Sequence, residues 1–296
     1  MRIASWHWGG RSYAGTVSSD GREATPLSVR DAEHGTQELI ERLVQGEGLP
    51  PASGPRLPVS ALSLRAPLPR PRRNLLCVGR NYRSHAAELA TSVFRDHLPE
   101  KDAWPILFTK LPETVVGPHD PVRLPGARVS EQIDYESELA VIIGRTGRDI
   151  SRSRAMDHVF GYTVVNDVSA RDVQVRHQQW MLGKSFDTFC PMGPWIVTAD
   201  ELDGRDTRVR GWLVPAGGGE PALRQDGSTR DMIFDIPTLI ETCSRGITLL
   251  PGDVIATGTP SGVGMGLSPP QWLRPGDAFR IEIDGIGAIE NRFELD

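Results

Sequence analysis

Glu136 and Glu138 stand two residues apart in Asp134-Tyr-Glu-Ser-Glu138, directly before Leu139-Ala-Val-Ile-Ile143, and Asn166-Asp167 follows about thirty residues later. The apolar, β-branched run reads as a strand. In a strand, residues i and i+2 point to one face, so two carboxylates project together. Buried like charges repel, and each carries a desolvation penalty alone. A divalent cation removes both problems. Asp167 offers a third hard oxygen donor, and an oxygen-only set selects Mg²⁺, Mn²⁺ or Ca²⁺ over zinc. An α-keto acid can occupy two of the remaining octahedral positions through its carboxylate and keto oxygens, with water in the third. The same acids could sit on an exposed edge strand. The run Leu139–Ile143, which lacks surface alternation, argues for burial instead.

Charge counting extends this reading. Three carboxylates on a dication leave one net negative charge, and a bound keto acid makes it two, so such a site needs cations. Arg171 lies four residues after Asp167, and Lys184 follows Gly183, where backbone can approach a ligand. A single Lys or Arg is more commonly a solvated surface charge. His85 and Glu88 are three apart at the start of a short helix, hence on one face. A carboxylate beside an imidazole orients it and raises its basicity, which suits water activation, although such pairs are also common on solvated helix faces. Ala256-Thr-Gly-Thr-Pro-Ser-Gly-Val-Gly264 is a Gly-rich turn that either holds an anion on its N–H groups or is an ordinary tight turn. No P-loop, Rossmann fingerprint or GxSxG elbow is present.

The elements that must position these groups are short. With 31 Gly and 24 Pro in 296 residues, a β-rich protein is favoured over a helix bundle. Strands are expected at 74–78, 106–109, 138–143, 160–166, 193–198, 208–214, 253–257 and 278–283, and helices near 84–90, 152–158, 170–180 and 235–244. Residues 1–28 read as hairpin-like strands around Gly9-Gly10 and Asp20-Gly21. A helix capped near Thr36 runs through Glu38 to Val44, its apolar stripe being Leu39, Ile40, Leu43 and Val44. The Pro-rich stretch 49–73 disfavours helix and central strand alike, and places a boundary between a small N-terminal domain (1–72) and a catalytic domain (73–296).

A formal net charge of −5 and the lack of a long basic run make nucleic acid an unexpected partner. No apolar run approaches bilayer length, and the N-terminus has no apolar core of signal-peptide length. Three scattered cysteines, Cys77, Cys190 and Cys243, form no CxxC pair. A cytoplasmic location is the expectation.

The chain resembles members of the fumarylacetoacetate hydrolase family. The matching segments are Gly79-Arg-Asn-Tyr-x-x-His-x-x-Glu88, Asp134-Tyr-Glu-x-Glu-Leu139, Gly161-Tyr-Thr-Val-Val-Asn-Asp-Val-Ser-Ala-Arg-Asp-Val-Gln174, Gly183-Lys-Ser-Phe-Asp-Thr-Phe-Cys-Pro191, Pro251-Gly-Asp-Val-Ile-x-Thr-Gly-Thr-Pro260 and Gly262-Val-Gly264. They run in family order across residues 74–296. The resemblance implies an α+β, β-rich fold: a mixed β-roll with a small N-terminal α/β domain, usually as a homodimer with one divalent metal per subunit. It implies Glu136, Glu138 and Asp167 as metal ligands and Lys184 as the lysine that stabilises enolate charge. It also implies that Arg171 and Gln174 contact substrate or attacking water, that Thr259 with the Gly258 backbone holds a substrate carboxylate, and that His85 and Glu88 form a water-activating dyad on a lid.

The reaction so implied is metal-dependent hydrolysis of a carbon–carbon bond in a 2,4-dioxo acid of the acylpyruvate, fumarylpyruvate or dioxo deoxy-sugar type. Its products are a carboxylic acid and pyruvate or a substituted pyruvate. The alternative keeps the site and changes the chemistry to decarboxylation of oxaloacetate, or to tautomerisation or isomerisation of a dioxo acid. A non-catalytic metal-binding module is the third possibility. The segment Leu89–Trp104, with Phe94, Arg95, His97 and Lys101, looks longer than in compact members and is expected to shape the pocket.

Overall fold

The computed structural model describes residues 1–89 and 103–296, so most of the Leu89–Trp104 segment lies outside the described residues. The described residues form a β-rich α+β fold built on a twelve-stranded mixed sheet. Its path runs Leu57–Pro58, Glu23–Pro26, Arg11–Val17, Arg2–Trp8, Cys190–Thr198, Val159–Asn166, Ser137–Ile143, Val254–Ala256, Leu75–Gly79, Ile106–Lys110. A five-stranded sheet, Ala222–Ser228, Arg208–Val214, Ala278–Ile283, Gly287–Leu295 and Val122–Leu124, packs beside it. Tyr135 stacks on Phe279 between the two, with ring centroids 3.9 Å apart.

Ser137–Ile143 lies in the middle of the larger sheet, and all seven of its residues are buried. This explains the missing alternation: both faces are covered, so neither needs polar residues. Burying a Leu or Ile fully stabilises the fold by roughly 1.5–3 kcal/mol, and Leu139, Ile142 and Ile143 are all inaccessible. The strand is held antiparallel on both sides, Ser137 opposite Asn166 and Ala140 opposite Ala256. Val254–Ala256 in turn pairs parallel with Leu75–Gly79. The strand that carries Glu138, with Glu136 just before its first residue, therefore sits between the strand that runs into Asp167 and the strand that runs into the Gly-rich turn.

The N-terminal strands join the same sheet, with Ile3 opposite Ile196. Gly9 and Gly10 both take positive φ, 55° and 75°, as a two-residue hairpin turn with the sheet's twist requires. The helix Gln37–Val44 follows Thr36 as expected, but Thr36 does not cap it: its hydroxyl donates to Pro67 O at 2.9 Å. The segment expected as a helix over 170–180 is broken. Ala170 belongs to a strand pair with Ile133, the helix covers only Arg171–Arg176, and Gln178 turns the chain at φ 53°. A second short helix, Met181–Lys184, then brings Lys184 back toward Asp167. Residues Arg152–His158 form 3₁₀ rather than α-helix. No helix among the described residues is long and apolar enough to cross a membrane.

Candidate metal and substrate site

The strand geometry delivers the acidic cluster. Glu136 N donates to Asn166 Oδ1 at 3.1 Å, and Asp167 N donates to Glu136 O at 3.0 Å, which locks the two segments together at the sheet's end. Glu138 follows two residues on. One carboxylate oxygen from each of Glu136, Glu138 and Asp167 lies within 4.8 Å of the others, and all three residues are buried.

The cations predicted by charge counting are present. Lys184 Nζ donates to Glu136 Oε2 at 2.7 Å and to Asp167 Oδ2 at 2.8 Å. Arg171 Nε donates to Asp134 Oδ2 at 2.8 Å, while its Nη2 lies 2.7 Å from Glu136 Oε1 as a charge contact outside hydrogen-bond alignment. Lys110 is a third cation, which the sequence did not flag. It is fully buried, donates to Asp167 Oδ1 at 2.7 Å and to Val168 O at 3.1 Å, and also bonds the backbone carbonyl of Lys184. Among the described residues, four buried carboxylates (Asp134, Glu136, Glu138 and Asp167) face three buried cations (Lys110, Arg171 and Lys184). The deficit is one positive charge.

That deficit falls on Glu138. Burial, then Asp167 and Glu136, push its carboxyl well above the usual carboxylate range. Burial works against the Glu136 carboxylate too, but Lys184 and Arg171 outweigh it and hold this group well below that range. Burial opposes the Lys184 ammonium, yet Asp167 and Glu136 raise it above its ordinary value. The donor set thus fits a divalent cation: three converging hard oxygens, one of which cannot comfortably ionise beside the others. The linkage sign follows. Folded, cation-free protein binds the Glu138 proton more tightly than the unfolded chain, so this group costs stability as pH rises above the ordinary glutamate range. Glu136 has the opposite sign, and its contribution is lost only as pH falls below that range. We therefore expect Mg²⁺ to raise the melting temperature of chelator-treated protein more near pH 8 than near pH 5. Scanning calorimetry checks this, and a pH-independent increment would contradict the assignment of Glu138.

Of the other predicted residues, His85, Arg171, Gln174, Lys184 and Thr259 line one pocket with Glu136 and Glu138, while Glu88 and Gly258 stand behind that lining. His85 Nδ1 lies 3.2 Å from Glu88 Oε2, and Glu88 Oε1 accepts from Gly262 N at 3.0 Å. Gln174 Oε1 accepts from Arg171 Nη1 at 3.1 Å. The Gly-rich turn does hold anions, but the ones it holds are the protein's own. Gly258 N donates to Glu138 Oε2 at 2.9 Å, and Gly264 N and Met265 N donate to the two oxygens of Asp134 at 2.7 and 3.1 Å. Thr259 Oγ1 donates to Ser137 O and accepts from Gln225 Nε2.

Several site residues were not singled out from sequence: Lys110, Gln225, and the wall formed by Arg80, Phe108 and Trp180. Lys110 closes the strand Ile106–Lys110, and a lysine at the end of an apolar strand is the signal that could have exposed it. Gln225 is fully buried on the second sheet and reaches Ser137 N, Thr259 Oγ1 and Pro260 O, and nothing local in the sequence marks it.

Comparison with known proteins agrees with this geometry. The domain described as fumarylacetoacetate (FAA) hydrolase C-terminal matches residues 74–294. Oxaloacetate tautomerase YisK of Bacillus subtilis is 49% identical over 239 residues, covering 79% of this chain and 74% of the relative. The structure of fumarylacetoacetate hydrolase from the psychrophile Exiguobacterium antarcticum superposes with a TM-score of 0.85 at 40% identity, covering 100% of both chains. Maleylpyruvate hydrolase of Sphingobium sp. SYK-6, in complex with manganese(II) and pyruvate, superposes with a TM-score of 0.75 at 31% identity, covering 100% of this chain and 99% of that one.

Proposed function

The chain belongs to the fumarylacetoacetate hydrolase family, and on that premise we propose that it interconverts the keto and enol forms of oxaloacetate. The observation that carries this is Lys184. A protonated ammonium sits between two carboxylates of a cation-poor cluster, so it faces the place where enolate charge would develop. The oxaloacetate tautomerase of Bacillus subtilis, 49% identical, supports enolisation over carbon–carbon cleavage as the net reaction.

Glu136, Glu138 and Asp167 would hold the cation, taken to be Mg²⁺ with Mn²⁺ or Ca²⁺ as alternatives. When bound it supplies Lewis-acid polarisation of the 2-oxo oxygen. The chain's own groups do the rest. Lys184 donates to the oxygen that gains charge as the C3–H bond is lost. Arg171, anchored on Asp134, orients Gln174 toward the substrate. His85 Nδ1 is turned to Glu88, which leaves Nε2 to take the C3 proton and deliver it to the enolate oxygen, the reverse reaction running the same transfer backwards. Thr259 and Gly258 keep Glu138 and the pocket floor in place. The division at residue 72 and a homodimeric assembly belong to the same proposal, and light scattering tests the latter.

Cleavage of a 2,4-dioxo acid is the second reading, favoured by the pair of buried His85 and half-buried Glu88, which could equally activate water. Product analysis separates the readings. Accelerated decay of the enol absorbance of oxaloacetate, with no carbon dioxide and no acetate from acetylpyruvate, is the expected result. Acetate plus pyruvate from acetylpyruvate would reinstate the hydrolase, and carbon dioxide plus pyruvate from oxaloacetate a decarboxylase. In either enzyme His85→Ala should slow turnover roughly 10²–10⁴-fold while calorimetric Mg²⁺ binding persists. An unchanged rate would remove His85 from the chemistry.

A further inference from the structure

We propose that Gln225 is a positioning residue that sets the spacing of the Glu136 and Glu138 carboxylates, and so tilts the site's choice between Mg²⁺ and the larger Ca²⁺ toward the smaller ion. This rests on the reading above, that Glu136, Glu138 and Asp167 hold a divalent cation.

The two glutamates flank Ser137, so the backbone of that one residue sets their separation. In extended backbone, neighbouring residues send their N–H and C=O groups to opposite edges. Glu136 uses one edge: its N–H donates to Asn166 Oδ1 at 3.1 Å, and its carbonyl accepts from Asp167 N at 3.0 Å. Ser137 uses the other edge, where ladder pairing with Val254–Ala256 stops at Ala140. Side chains take the place of that strand. Ser137 N donates to Gln225 Oε1 at 2.9 Å, and Ser137 O accepts from Thr259 Oγ1 at 3.1 Å. Gln225 Nε2 closes the ring by donating to Thr259 Oγ1 at 2.8 Å, and it also donates to Pro260 O at 2.7 Å.

The chemistry of these partners fixes the amide's orientation. Ser137 N–H can only donate and the Pro260 carbonyl can only accept, so Oε1 and Nε2 cannot exchange places. Gln225, Ser137 and Thr259 are all buried, where no water replaces a lost hydrogen bond.

The second sheet is shaped to deliver this amide. Gly211 faces Gln225 while Trp212 faces Leu223, which leaves Arg224 as an extra residue in its strand. Such a bulge re-aims a side chain beside a functional site. Gly211 permits the close approach: a Cβ there would lie 2.5 Å from Ser137 Oγ.

Stiff donor spacing translates into cation choice. Mg²⁺ demands near-ideal octahedral geometry at about 2.0–2.1 Å, whereas Ca²⁺ accepts irregular shells at about 2.3–2.6 Å. A frame that holds two donors still therefore favours Mg²⁺, and a loosened frame favours Ca²⁺.

Titration calorimetry of Mg²⁺ and of Ca²⁺ on the chelator-stripped full chain tests this. Gln225→Met keeps the length of the side chain without its amide. It should weaken Mg²⁺ binding about 10- to 100-fold and Ca²⁺ binding by less, so the ratio of the two affinities falls. A general loosening of the fold would weaken both cations alike. Thr259→Val removes the other arm of the ring and should lower the ratio in the same direction, whereas Thr259→Ser keeps the hydroxyl and should restore it. A ratio unchanged in Gln225→Met, or in Thr259→Val where the first variant does not fold, would overturn the role of Gln225 alone. Unsubstituted protein that binds neither cation would overturn the acidic triad as a cation site, and this proposal with it.

Discussion

Lys184→Met should lower the rate of oxaloacetate enolisation by about 10²–10³-fold and at the same time tighten divalent-cation binding. The two effects have one cause. Lys184 Nζ lies 2.7 Å from Glu136 Oε2 and 2.8 Å from Asp167 Oδ2, so its ammonium occupies oxygens that a cation also needs. Removing it leaves the full negative charge of those carboxylates for the cation, and takes away the donor proposed to meet the developing enolate. A merely structural lysine would lower both quantities through misfolding. Stopped-flow enol decay and titration calorimetry on the same preparation measure the split. Turnover that survives the substitution, or cation affinity that drops with it, would contradict the assignment.

Lys110→Met is expected to cost about 3–5 kcal/mol of folding stability, because it strips the buried Asp167 carboxylate of one of its two cationic partners. Lys110 is not itself among the residues that line the pocket, yet it fixes Asp167 Oδ1, Val168 O and the Lys184 carbonyl together. The melting temperature should fall by on the order of 10 °C, and Mg²⁺ should restore part of the loss, since the cation then supplies the charge that Asp167 has lost. Thermal melts with chelator and with Mg²⁺ test both halves. Equal melting temperatures for variant and unsubstituted protein would show that Lys110 is not what balances Asp167.

How legible the site was depended on the range of the interaction that builds it. Glu136 and Glu138 were readable as a pair from their spacing at the head of an apolar strand, although Glu136 lies just before Ser137–Ile143 and is held by its bonds to Asn166 and Asp167. The apolar run behind them announced its burial by lacking alternation. The cations were foreseen as a need, and Lys184 and Arg171 meet it, but Lys110 reaches Asp167 across 57 residues. Gln225 reaches Thr259 from the second sheet across 34. No local pattern encodes such distances. The break in the 170–180 helix was missed for a related reason: helical periodicity there is overridden by Ala170's pairing with Ile133. By contrast, the strand Gly287–Leu295 was legible and unread, since Ile289, Asn291 and Phe293 point inward while Glu290, Arg292 and Glu294 point out. The anion reading of the Gly-rich turn was sound in its chemistry. Sequence could not say that the anions would be Glu138, Glu88 and Asp134.

That turn acts as a common datum for parts that would otherwise be independent. Its amides register a cluster carboxylate (Glu138), the partner of the imidazole (Glu88) and the anchor of Arg171 (Asp134) against one piece of backbone. It has little slack, for a Cβ at Gly262 would meet Arg224 O at 1.8 Å. Errors introduced there are therefore correlated: ion affinity, proton transfer and substrate orientation drift together and cannot be traded against one another.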